Sequence, residues 1–124
     1  MLFTKIPLQL ASALEADNQK ALNIVSSIST SDETLKCEIE DVKAWAYSGL
    51  YFAKKLQAGV ALNQNKQVKA ELTIILAQNY WMDLVRVTDE HIQASHLAIT
   101  EDNFHWKNYQ DEVDAEIEWV KNQK

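Results

Sequence analysis

Four stretches of the chain repeat apolar residues at three- and four-residue intervals, the period of an amphipathic helix. The first helix is predicted over residues 7–28, where Leu10, Leu14, Ala21, Ile24, Val25 and Ile28 recur at that spacing. Pro7 would occupy its first turn, where a missing N–H costs nothing. The polar run SSISTSDE then interrupts the pattern, and Thr30 stands to Glu33 in the S/T-x-x-E relation of a capping box. A second helix follows to about residue 63, roughly 45 Å long at 1.5 Å per residue. NQNK, at 63–66, predicts a short turn and hence an antiparallel third helix over 67–94. SHLAITEDN, at 95–103, reads as a loop with Thr100 or Asp102 as cap. The last helix is predicted from about residue 103, with Trp106, Tyr109, Val113, Ile117 and Val120 on one stripe.

The second helix carries two apolar lines. Leu35, Ile39, Val42, Ala46, Gly49, Ala53, Leu56 and Val60 form a narrow stripe at about 100° per residue. Its small residues Ala46, Gly49 and Ala53 admit another helix closely, and Trp45 and Phe52 on the border are expected to widen the buried face. The opposite side holds Cys37, Ala44, Tyr47, Tyr51, Ala58 and Leu62, interrupted by Glu40 and Lys54. A helix apolar on two sides is either central in its domain or docked to something outside it. In the first case helix one or helix four covers the second line. In the second, Tyr47 and Tyr51 anchor an interface with Ala44, Ala58 and Leu62, for which tyrosine is well suited.

Composition narrows the fold to one class. A chain of 124 residues makes one domain, spanning 1–124, with enough length to bury a core without disulfides. It has Gly 2 and Pro 1, where average usage gives roughly nine and six. All-β and α/β folds need turn residues at many connections. The expectation is therefore an all-α bundle of four mainly antiparallel helices, the second and third longest.

Charge removes some partners. The formal net charge is −6, and the one basic doublet is Lys54-Lys55. Neither nucleic acid nor an anionic membrane surface is expected to bind. No run reaches the eighteen or so apolar residues of a membrane span. The opening MLFTKIPLQL lacks the apolar core and cleavage site of a signal peptide.

Candidate chemistry is sparse. Asp83, Arg86 and Glu90 on helix three have the spacings of surface ion pairs, or of a polar groove that binds a ligand. Di-iron bundles use Glu-x-x-His on two helices, and neither copy is present. Asp102 and His105 form one partial pair, so no metal and no cofactor are expected. Cys37 is alone and has no local nucleophile signature. Glu38 and Asp41 share a helix face, but the sequence gives them no pocket for acid–base work. Trp45, Trp81 and Trp106 sit on or beside apolar stripes and read as core, whereas Trp119 lies off its stripe.

CEIEDVKAWAYSGLYFAKKLQAGVAL (37–62), YWMDLVRVTDEHI (80–92) and FHWKNYQDEV (104–113), in that order, resemble the C-terminal helical region of large bacterial polysaccharide-degrading glycosidases of the α-glucuronidase-like kind. In such enzymes the catalytic acids lie on a barrel elsewhere in a longer chain. The resemblance therefore implies a carbohydrate-processing context and supplies no catalytic residue here. Two functions follow as expectations. One is a non-catalytic accessory or interaction module that works through a packing surface on helix two, with a second copy or a neighbouring domain as partner. The other is a small-ligand or metal-binding bundle, using Asp83, Arg86 and Glu90 or Asp102 and His105.

Overall fold

The computed structural model describes residues 2–95 and 106–123, with side chains at 6–89 and 106–123. It contains α1 (Leu2–Ser26), α2 (Glu33–Asn63), α3 (Gln67–Ser95), a 3-10 turn (Trp106–Tyr109) and α4 (Gln110–Lys121). Among the described residues there is no strand. The all-α bundle with long second and third helices is thus the observed fold. The predicted loop at 95–103 lies almost wholly outside the described residues, as do its candidate caps.

Antiparallel neighbours follow from the contacts along each pair. Asn18 of α1 touches Gly49 of α2, and Glu15 meets Lys54 and Gln57 further along. α2 reverses into α3 through a tight turn in which Asn65 takes the left-handed conformation, φ 58°. Asparagine tolerates that region better than most side chains. α4 runs back along α3: Gln67 Nε2 donates to the Val120 carbonyl (2.6 Å) at one end, and Gln78 Nε2 to Asp114 (2.6 Å) further on.

The core lies between α2, α3 and α4. Ala58, Ala61, Ala70, Ile74, Ala77, Ile117 and Val120 form one buried cluster, and Trp81, Leu84 and Val113 form a second. Alanines on both α2 and α3 bring those helices together, and the larger side chains of α4 close the remaining space. Tyr51 bridges the clusters, with its ring 5.1 Å from that of Trp81, and Trp106 meets Trp81 edge-on at 5.7 Å. Such aromatic pairs contribute about 0.5–1.5 kcal/mol each beyond their burial. The predicted stripe of α4 holds at Val113, Ile117 and Val120, whereas Tyr109 is exposed.

Three local expectations are corrected. α1 begins at Leu2, so Pro7 sits inside the helix rather than in its first turn. Its ring forgoes one backbone bond there. The cap of α2 is Asp32, whose Oδ1 accepts from the Leu35 N–H (3.0 Å). Thr30 acts one step earlier, its hydroxyl accepting from the Asp32 N–H (3.1 Å), and no Thr30–Glu33 box forms. Finally, Trp45 and Phe52 do not widen the buried face of α2: they are 77% and 50% exposed.

Candidate functional site: an apolar face of α2

Among the described residues, α2 has neighbours on three sides of its circumference and is open on the fourth. Ala46, Ala53 and Val60 are buried on the α1 side, and Gly49 lies against the Asn18 side chain of α1. Leu35 and Val42, on the same line, are exposed because α1 ends at Ser26. With Asn18 level with Gly49, the end of α1 falls near residue 41.

The second apolar line of α2 faces inward. Ala58 is 1% exposed, Tyr51 and Leu62 pack on the first cluster, and Ala44, Tyr47 and Tyr51 pack on the second. Of the expected interface residues, Ala58 is therefore buried, and Tyr47, Tyr51, Ala44 and Leu62 are half-buried against the core that α2 shares with α3 and α4. Tyr51 donates its hydroxyl hydrogen to Glu116 Oε2 (2.8 Å), and Lys55 is paired with the other oxygen of that carboxylate. Burial first, and then Glu116, push the Tyr51 pKa well above the usual tyrosine range.

The polar candidates remain at the surface. Asp83 Oδ1 accepts from Arg86 (3.1 Å), which raises the Arg86 pKa with a smaller contribution from Tyr47. The Glu90 side chain, Asp102 and His105 lie outside the described side chains. Among the described residues, no group of three or more His, Cys, Asp or Glu is placed to hold a metal ion. Cys37 is exposed.

The open sector of α2 is the feature that sequence reading missed. Trp45, Phe52 and Gly59 follow one another at seven-residue intervals along it, and all three are exposed. On one flank, a groove of about 450 Å³ runs between α1 and α2, lined by Pro7, Phe52, Leu56, Gly59 and Val60. On the other, a recess of about 200 Å³ separates α2 from α4, lined by Gly59, Leu62, Ile74 and Trp119. A Cβ built on Gly59 meets nothing within 4 Å, so this ridge position is a notch between two hollows. Nearer the N-terminus of α2, Asp41, Trp45, Ser48, Thr88 and Trp106 line a further hollow of about 260 Å³.

α1 extends the apolar face. Ile6, Leu10 and Ile24 are 58%, 49% and 54% exposed, and they lie on the flank of α1 next to Phe52 and Trp45, opposite the flank that carries Glu15. Trp119 of α4, 60% exposed, completes the face on the other side. An aromatic ridge between two grooves suits apolar side chains of another protein surface. Two ion pairs border it, Lys54 with Glu15 (2.9 Å) and Lys55 with Glu116, and the exposed Asp17 stands on it midway between Leu10 and Ile24. No helix among the described residues is long and apolar enough to cross a membrane. No known protein family matches the chain, and no curated protein or solved structure is significantly similar to it.

Proposed function

We propose that this chain is a non-catalytic helical interaction module whose working surface is the open sector of α2, flanked by α1 and α4. The observation that carries this reading is the exposure of Trp45 and Phe52 on the open side of α2, with Trp119 on α4 and Ile6, Leu10 and Ile24 on α1. Exposed apolar patches on monomers seldom exceed about 600 Å², and larger ones mark contact sites. The packing surface on α2 is thus displaced by about a third of a turn from the tyrosine line expected from sequence. A neighbouring domain of a polysaccharide-degrading enzyme, the parent implied by the resemblance of 37–62, is one partner that would cover such a face. The ligand-binding alternative has less support, because Asp83 and Arg86 are spent on each other at the surface.

The test is photocrosslinking in cells. A benzoylphenylalanine placed at Phe52 should give a discrete protein adduct, and the same group at the exposed Asn79 of α3 should not. Changing Trp45 to Glu in the same chain should abolish the adduct. Equal labelling from both positions would overturn the reading.

A further inference from the structure

We propose that the occupant of this face is a second copy of the same chain, docked so that the two α2 helices run antiparallel about a two-fold axis at Phe52. The inference rests on the reading of the face given above and names its partner.

The open sector is complementary to itself. Along α2, Trp45, Phe52 and Gly59 stand at strict seven-residue spacing. A two-fold axis through Phe52 sets Trp45 of one copy against Gly59 of the other. The largest side chain thus meets the position with none. Trp45 projects into solvent, while Gly59 lies between the Pro7–Leu56 groove and the hollow beside Trp119. A seven-residue repeat drifts slowly round a helix, so the two copies would cross with the shallow left-handed angle of a coiled coil.

α1 fits the same operator. Since Asn18 is level with Gly49, the level of Phe52 on α1 falls near Glu15. Ile6 and Ile24 lie nine residues to either side of Glu15. Antiparallel pairing about that level brings Ile6 of one copy to Ile24 of the other. The exposed parts of Ile6, Leu10, Ile24, Trp45, Phe52 and Trp119 amount to about 750 Å², taking about 150–250 Å² for each whole side chain. One partner's share of a standard interface is about 800 Å². Two-fold dimers are also the commonest closed assembly.

Sedimentation equilibrium of the whole chain tests the proposal. The wild type should pass from monomer to dimer with rising concentration. Trp45→Ala and Gly59→Trp should each weaken the dimer about 30-fold or more, the scale of an interface hot spot. Gly59→Trp points into open space, so its helical signal and melting temperature should match the wild type. A monomer at every concentration, or a dimer indifferent to Trp45→Ala and Gly59→Trp, would overturn the arrangement. A monomer whose residue-52 crosslinks reach a different protein removes the second copy and leaves the interaction face standing. A monomer with no such crosslinks removes both.

Discussion

The Asn18 side chain fills the space that a Cβ on Gly49 would need, so the α1–α2 seam is filled there from the α1 side alone. The Asn18 amide is held there by donating to the Leu14 carbonyl (2.7 Å). Gly49→Ala gains about 1 kcal/mol of helix propensity. It must also expel the amide from the seam, at about 1–3 kcal/mol for overpacking. The expected net is a loss of roughly 1 kcal/mol in urea unfolding. In an Asn18→Ala background the clash is gone, and the same Gly49→Ala change should be neutral or stabilising. A loss of equal size in both backgrounds would show that the seam is not what holds Gly49.

Tyr51 is the hinge between the two core clusters, and its hydroxyl is bonded to a carboxylate. Tyr51→Phe keeps the ring against Trp81 and deletes one bond to a charged acceptor, so it should cost about 1.5–3 kcal/mol. Because burial and Glu116 both hold the phenol protonated, the late component of the alkaline absorbance titration should vanish in this variant. A titration curve unchanged by Tyr51→Phe would contradict the buried bond.

Glu15 gives the α1–α2 seam a pH dependence. The hydrogen bond from Lys54, then that from Gln57, depress its pKa below the ordinary value near 4.5. A depressed carboxylate stabilises the fold above the unfolded-state value, and that contribution is lost as pH falls through the folded-state value. Wild type should therefore exceed Glu15→Gln in urea midpoint at neutral pH, with the gap closing below pH 4.5. Glu15 is 38% exposed, so the gap should be small and should shrink with salt. A gap that widens on acidification would reverse the assignment.

The cap of α2 separates two neighbouring residues. Asp32→Ala removes the acceptor of the Leu35 N–H and should cost about 1 kcal/mol. Glu33→Ala should cost clearly less, since Glu33 makes only an exposed pair with Lys36 (3.3 Å). Comparable losses at both positions in thermal melts would restore the Thr30–Glu33 box.

The helices were legible in sequence because periodicity and breakers report on the backbone directly. The allocation of faces was not. A helical wheel gives the angle of each side chain on α2 but not which angles other helices will cover. Ala46, Gly49 and Ala53 did indicate a close neighbour, and α1 is that neighbour. Trp45 and Phe52 lie just beyond that contact, where their size suggests core, yet both stay largely exposed. The tyrosine line looked like surplus apolar surface until α3 and α4 were seen to share it. The seven-residue run from Trp45 through Phe52 to Gly59 was present in the sequence throughout. Its meaning depends on knowing that this sector is open.

α1 packs mainly on α2, α2 on α3, and α3 on α4, so each helix leans chiefly on the one beside it in the chain. Contacts between sequence neighbours close small loops first, and chains built this way assemble quickly. They also come apart in order from the end. The buried clusters draw on α2, α3 and α4, whereas among the described side chains α1 adds only Ala11 and Val25 to the buried set. Native-state amide exchange should therefore show α1 opening as a unit at a free energy below that of the α2–α3 pair. Since α1 also walls the Pro7–Phe52 groove, its loss would leave α2 bare on two sides. A partner that binds across α1 and α2 would then act as a latch, slowing the exchange of α1 amides more than any others in the chain.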